Sequence, residues 1–260
     1  MSQYLAAVWK CRYFWLSLVQ MDLRTRYRRS FIGLGWSLLQ PIAMTAVLCT
    51  VFATLFSQNI REYAPSLLVG LCFWNFITAC TIQGCLSLFH GEKYIRQHPA
   101  PVAIYPLRTM LGASFHFLVA LAVVVLLRIG LQGLSGILSL VSLLPTVLLL
   151  FVLGWSLAVL AGFSNSYFPD MHHLSEVGLQ IVFYGTPIIH PPEMLRTKGL
   201  GWIVDFNPLA VFVEMFRAPL LTGSFPALTQ FAVAGSFTLA MLGLATLILV
   251  RLQRRIIFQL

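Results

Sequence analysis

The chain has 260 residues, 58% of them hydrophobic and only 10% charged, at a mean hydropathy of +0.84. A soluble domain carries about a quarter charged residues, and disordered chains are poor in the aromatic residues that make up 13% here, so both classes are excluded. Five cysteines in largely apolar surroundings are no disulfide scaffold, and a net charge of +9 in a membrane chain points first to orientation, not to nucleic acid.

The first element is residues 8–30. It is too charged to cross a bilayer, yet at helical spacing Trp9, Leu16, Val19, Leu23 and Tyr27 form one apolar ridge, with Lys10, Asp22, Arg28 and Arg29 away from it. That pattern predicts an interfacial amphipathic helix with its basic side toward phosphates. Arg24, Arg26, Arg28 and Arg29 are candidates for a lipid-linked phosphate or a cytosolic partner; the alternative is that they only anchor topology. The apolar run 13–21 ends in Asp22 and a basic cluster, which predicts no cleavable signal peptide.

A spanning helix needs about 20 apolar residues, because about 30 Å of hydrocarbon is crossed at 1.5 Å per residue. The uncharged stretches therefore mark the spans. They predict helices over about 36–57, 65–89, 109–127, 137–163, 174–190 and 227–250, the fourth bent at Pro145 and the fifth short with Glu176 at its polar edge. Residues 91–108 form a cytoplasmic loop in this reading. Residues 191–226, with Pro191, Pro192, Pro208 and Pro219 among apolar patches, read as short re-entrant helices on one membrane face. Six spans put both termini on one side. With the N-terminus inside, 12 of the 17 basic residues are cytoplasmic, as the positive-inside rule requires.

The stretch MDLRTRYRRSFIGLGWSLLQP, residues 21–41, resembles the start of the first span in the ABC-2 type permeases that export bacterial polysaccharides: O-antigen, capsule and teichoic acid. GLCFWNF at 70–76, YIRQHPAPVAIYPLR at 94–108, FYGTPIIHP at 183–191 and FNPLAVFVEMFRAPLLTG at 206–223 resemble that family's later motifs in the same order. One departure concerns the end of the fourth span, where many members carry an Arg-Asp pair and this chain has Phe168-Pro169-Asp170. That form leans toward the capsule type, while residues 21–41 lean toward the O-antigen type.

The resemblance implies an all-α integral membrane protein, one ABC-2 transmembrane domain over 1–260, in the bacterial inner membrane. It further implies two copies of this chain with two cytosolic ABC ATPase subunits, and a lipid-linked glycan as substrate. The sequence has no GxxxxGK[ST] loop to cradle phosphates, so no enzyme and no cofactor are expected in this chain, with ATP and Mg²⁺ in the partner. Glu92, Lys93, Tyr94, Arg96 and His98 become candidates for coupling to the ATPase, against the alternative of a plain connector. By resemblance the first and fifth spans line the passage. Phe52, Phe56, Phe183 and Tyr184 are then candidates for stacking on sugars, against packing or lipid contact. Asn207, Pro208, Glu214 and Arg217 are candidates for an external gate, against a solvated loop; Glu214 and Arg217, three apart, can pair on a helix. His116 reads as a solitary, hydrogen-bonded core residue. Adjacent His172 and His173 point apart on a helix, so no metal site is expected.

Two rivals remain open from the residues alone. An ABC-2 permease for a small lipid or drug would share the topology. A membrane enzyme acting on lipid-linked sugars would place acids near the basic interface, where Asp22 is the only one before Glu62.

Overall fold

The computed structural model describes residues 2–28, 33–53, 55, 59–97, 100–133, 136–253 and 255–256. Arg29, Phe56 and His98 lie outside these residues. Among them every regular element is helical, as backbone groups in lipid require when no sheet closes into a barrel. Two N-terminal helices, α1 (Ser2–Lys10) and α2 (Arg12–Tyr27), precede α3 (Trp36–Leu48), which passes into a π-helical turn at Cys49–Ala53. Then come α4 (Ile60–Gln97), α5 (Ile104–Gln132), α6 (Leu143–Tyr167) and α7 (Met171–Gly185). Three short helices follow, α8 (Pro192–Thr197), α9 (Gly201–Asp205) and α10 (Pro208–Arg217), before α11 (Leu228–Leu252).

Among the described residues four helical segments are long and apolar enough to cross a membrane: Ile60–Ile95, Ile104–Gly130, Ile137–Tyr167 and Leu228–Leu252. Trp36–Phe52 is a shorter apolar helix, and α7 is shorter still, with 15 residues.

The helix boundaries differ from the sequence expectation in four places. The 38 residues of α4 extend about 57 Å at 1.5 Å per residue, well beyond the hydrocarbon thickness. Its last turns therefore contain Glu92, Lys93 and the backbone of Arg96, and α5 starts at Ile104, so most of the expected loop 91–108 is helical. Charge marks where a helix meets water, not where it ends. Pro145 sits in the first turn of α6, where a missing N–H leaves no bond unmade, and the residues before that helix, Ile137–Ser142, are 3₁₀. The short fifth helix lies earlier than 174–190, running from Met171 to Gly185.

Helix α4 is the centre of the bundle, packed by α3, α5, α6, α7 and α10, while α11 lies against α6 and α10. The apolar window of α4 is 61% buried, against 22% for α11, which leaves α11 a broad face for lipid. Close approach of α4 and α6 is set by Gly84, where a Cβ would stand 2.8 Å from the Cα of Ala158. Small residues at such crossings let backbones approach and gain dispersion contacts, the main attraction available between helices in lipid. One cluster of buried side chains centres on Phe73, Phe76, Phe117, Phe212 and Phe216. A second, toward the end of α4, joins Leu88, Ile95, Tyr105, Phe163 and Leu249.

Candidate functional site

The N-terminal helices are fastened to the bundle at defined points. Leu18 and Val19 are buried, whereas Trp9, Tyr13, Leu16 and Met21 are exposed, so the apolar ridge of residues 9–27 is divided between the bundle and the surroundings. Asp22 does not face outward with the arginines. Its carboxylate accepts two hydrogen bonds from the Arg108 guanidinium at the start of α5, a bidentate, charge-assisted pair. Arg26 Nη1 lies 3.3 Å from His116 Nε2, and His116 Nδ1 lies 2.8 Å from Ser37 Oγ. Arginine only donates, so Nε2 is the acceptor; the ring is then neutral with its proton on Nδ1, donated to Ser37. His116 is thus hydrogen-bonded as expected but not solitary: it links α2, α3 and α5. Arg24 and Arg28 are exposed.

The end of α4 meets the same N-terminal helices. Tyr94 and Phe14 stack edge to face with centroids 5.7 Å apart, and the Tyr4 hydroxyl accepts from Ala103 N at 3.2 Å. Glu92 is half-buried and Lys93 exposed. These contacts join Tyr94, one of the coupling candidates, to the interfacial segment. No spacing signal predicted that, although Asp22, isolated among basic residues, was a hint that one of them needed an acid.

Two cavities adjoin this junction, of about 270 and 570 Å³, and they share Arg26, Gln83 and His116. The smaller lies between α2, α4 and α5, the larger between α3, α4 and α5.

Of the channel candidates that are described, Phe183 and Tyr184 lie edge to face with centroids 5.5 Å apart. Phe183 packs on Trp74 of α4, centroids 5.3 Å apart, Tyr184 is exposed, and Phe52 sits half-buried in the π turn against the main cluster.

The segment between α7 and α11 is organised by Arg217 and Asn207. Arg217 Nη1 donates to Glu214 Oε1 at 3.0 Å and Pro187 O at 2.7 Å; Nη2 donates to Ile188 O at 3.1 Å and Ser66 O at 3.4 Å. The pair expected from i,i+3 spacing is formed, and the cation is buried. Tyr63 of α4 donates to Ile189 O beside it. Asn207 caps α10, accepting from Leu209 N at 2.9 Å, while its amide donates to Gly185 O and to Thr186 Oγ1. Pro208, at the first position of α10, needs no acceptor for the N–H it lacks. The turn after α7 is thus held to both α4 and α10.

The profile of ABC-2 type transporters matches residues 13–221, from the start of α2 to the π turn after α10. The chain belongs to the ABC-2 type transporter family. Similar curated proteins include the O-antigen export system permease protein RfbA of Klebsiella pneumoniae, 25% identical over 80% of each chain. RfbA of Myxococcus xanthus is 22% identical over 78% of each. The polysialic acid transport protein KpsM of Escherichia coli is 21% identical over 80% of this chain and 81% of its own.

In this ABC-2 chain the start of α7 departs from expectation in one respect. The rings of His172 and His173 do not diverge; they lie edge to face with centroids 5.3 Å apart, and with Glu176 they bring three ligand-type atoms within 4.8 Å of one another. His173 and Glu176 already pair at 3.3 Å on an exposed surface. The turn before α7 is built by Asn165, which donates to Cys85 O at 3.0 Å and accepts from His172 N at 3.1 Å.

Proposed function

We propose that the chain is the transmembrane permease subunit of an ATP-driven exporter that moves a lipid-linked, O-antigen-like polysaccharide from the cytosolic to the outer face of a bacterial inner membrane. The observation that carries this reading is similarity, over about four fifths of each chain, to permeases named for O-antigen export. In this reading α3 and α7 complete six spans with the four long helices, both termini are cytoplasmic, and two copies of the chain pair with two cytosolic ATPase subunits. Those subunits bind ATP and Mg²⁺ and carry out the hydrolysis; the permease itself is no enzyme.

The diphosphate-lipid head meets Arg24, Arg26, Arg28 and Arg29, the lipid tail stays in the bilayer, and the glycan passes between protomers along Phe52, Phe56, Phe183 and Tyr184. The ATPase acts on Glu92, Lys93, Tyr94, Arg96 and His98. The contacts of Tyr94 with Phe14, Ala103 with Tyr4 and Arg108 with Asp22 supply a physical route from that end of α4 and the start of α5 to α1 and α2. Asn207, Pro208, Glu214 and Arg217 hold the outer segment as a gate. ATP binding and hydrolysis shift the equilibrium between closed and open permease, which requires different affinity for the two states.

A second reading, with a capsule-type polysaccharide as cargo, is favoured by the relative named for polysialic acid transport and by Phe168-Pro169-Asp170. Purification of the permease with its ATPase tests both. Lipid-linked O-antigen raises ATP turnover under the first reading, and a capsule-type glycan does so under the second; Arg28→Ala with Arg29→Ala removes the response. Failure of any ATPase to copurify overturns the proposal.

A further inference from the structure

The start of α7 gathers residues whose chemistry the export reading leaves unused. His172, His173 and Glu176 each offer one donor atom, and the three atoms lie within 4.8 Å of one another. Neighbouring side chains on a regular helix stand about 100° apart, yet these two rings meet edge to face, 86° between their planes and 5.3 Å between centroids. Glu176, one turn on, has Oε2 3.3 Å from His173 Nδ1. Two donors bound to one tetrahedral zinc at about 2.0–2.1 Å stand about 3.3 Å from each other. The side chains of His173 and Glu176 are 78% and 51% exposed, so they have room to close on the third donor without moving the bundle.

The backbone beneath these side chains is fixed. His172 N donates to Asn165 Oδ1 at 3.1 Å, Leu174 N donates to Asp170 O at 3.0 Å, and Ser175 Oγ lies 3.8 Å from Cys85 Sγ of α4. Donors carried on a held turn lose less freedom on binding than donors on a loop. Charge also favours a cation. Helix α7 has no lysine or arginine, and Asp170 immediately precedes it, so two carboxylates counter the positive end of the helix dipole.

We propose that His172, His173 and Glu176 bind one first-row divalent metal of the zinc type per chain. Two imidazoles and one carboxylate suit Zn²⁺, Fe²⁺ or Ni²⁺ better than Mg²⁺, which takes oxygen ligands. Three protein ligands leave one position for water, as in an open site and unlike a closed structural zinc. With Nδ1 on the metal, His173 carries its proton on Nε2, and its hydrogen bond to Glu176 gives way to two metal bonds. The metal then cross-links the first turns of α7 and offsets the charge of Glu176. This goes beyond the export reading and does not depend on it.

The test uses the full-length permease in lipid nanodiscs, purified through a tag without histidine and stripped with a chelator. Zn²⁺ is titrated in competition with a chromophoric chelator, and Co²⁺ binding is followed by its visible absorption. Expected are one Zn²⁺ per chain, retained in excess Mg²⁺, and a Co²⁺ spectrum of low coordination number. His172→Ala, His173→Ala and Glu176→Gln each weaken Zn²⁺ by about tenfold or more, since even the loss of an outer-shell partner costs about 10–100-fold. His90→Ala, exposed on α4, leaves the affinity unchanged. Zn²⁺ raises the melting temperature of the unaltered chain and not of the triple variant. Should His172→Ala fail to fold, the variants at exposed His173 and Glu176 decide the matter. Absence of binding overturns the site. Equal affinity in the triple variant places the metal elsewhere and overturns it too, as do displacement by excess Mg²⁺ and half a zinc per chain, which marks a ligand set shared between copies.

Discussion

Asp22 on α2 and Arg108 on α5 form a bidentate ion pair that joins the N-terminal helices to the bundle, 86 residues apart in sequence. Arg108 is the more enclosed partner, its side chain 14% exposed against 44% for Asp22. Loss of the acid therefore leaves a largely enclosed guanidinium without its counter-charge. Asp22→Asn lowers stability by about 1–2 kcal/mol, a charge-assisted bond discounted for the solvent around Asp22. Thermal unfolding of the purified permease measures it, and a double-mutant cycle with Arg108→Gln yields a coupling energy above about 0.5 kcal/mol. Additive single effects would refute the pairing.

Arg217 serves three backbone carbonyls and Glu214 with one planar guanidinium. Lysine offers a single nitrogen and cannot reach the same set. Arg217→Lys is expected to be nearly as harmful as Arg217→Met, each costing about 3–5 kcal/mol because carbonyls and a carboxylate lose their donor. Glu214→Gln keeps an acceptor and costs about 1 kcal/mol. Melting temperatures in detergent rank the three variants.

Gly84 and Gly112 provide a matched comparison. A Cβ at Gly84 meets the backbone of Ala158, which cannot rotate away, whereas at Gly112 nothing lies within 4 Å. Gly84→Ala should separate α4 from α6 and destabilise by about 1–3 kcal/mol. Gly112→Ala should be neutral or stabilising by up to about 1 kcal/mol through helix propensity. Equal melting temperatures for the two would contradict the close helix crossing.

Asn165 links the α6–α7 turn to α4 through Cys85 O and His172 N. Asn165→Leu leaves His172 N unmatched and Cys85 O with its intrahelical partner alone, at a cost of about 1–3 kcal/mol. Hydrogen exchange at the start of α7 should accelerate while the middle of α4 stays protected. Unaltered exchange at His172 would show that the turn holds without the amide.

The extent to which these features are legible in the sequence follows from the range of the forces behind them. The long spans are readable because a charge in hydrocarbon is costly at any position, so uncharged runs outline α5, α6 and α11 without reference to neighbours. The Glu214–Arg217 pair and the Asn207 cap are readable because both partners lie within one turn of helix. The charged C-terminal end of α4 is not, because a helix leaving the bilayer keeps its backbone bonds while a side chain such as Lys93 meets water. The His116 network is not either, since Arg26 and Ser37 stand 90 and 79 residues away from it.

By itself, then, the sequence determined a helical membrane chain of the ABC-2 kind, its principal spans and its short-range pairs, because hydrocarbon solvent and helical spacing act on each segment independently. Only the tertiary structure decided that Asp22 turns inward to Arg108, that Arg217 gathers carbonyls from α4 and the turn after α7, and that His116 links α2, α3 and α5. Those relationships depend on which helices pack together, and packing among apolar surfaces of similar composition is settled by shape and by the few polar groups that must find partners.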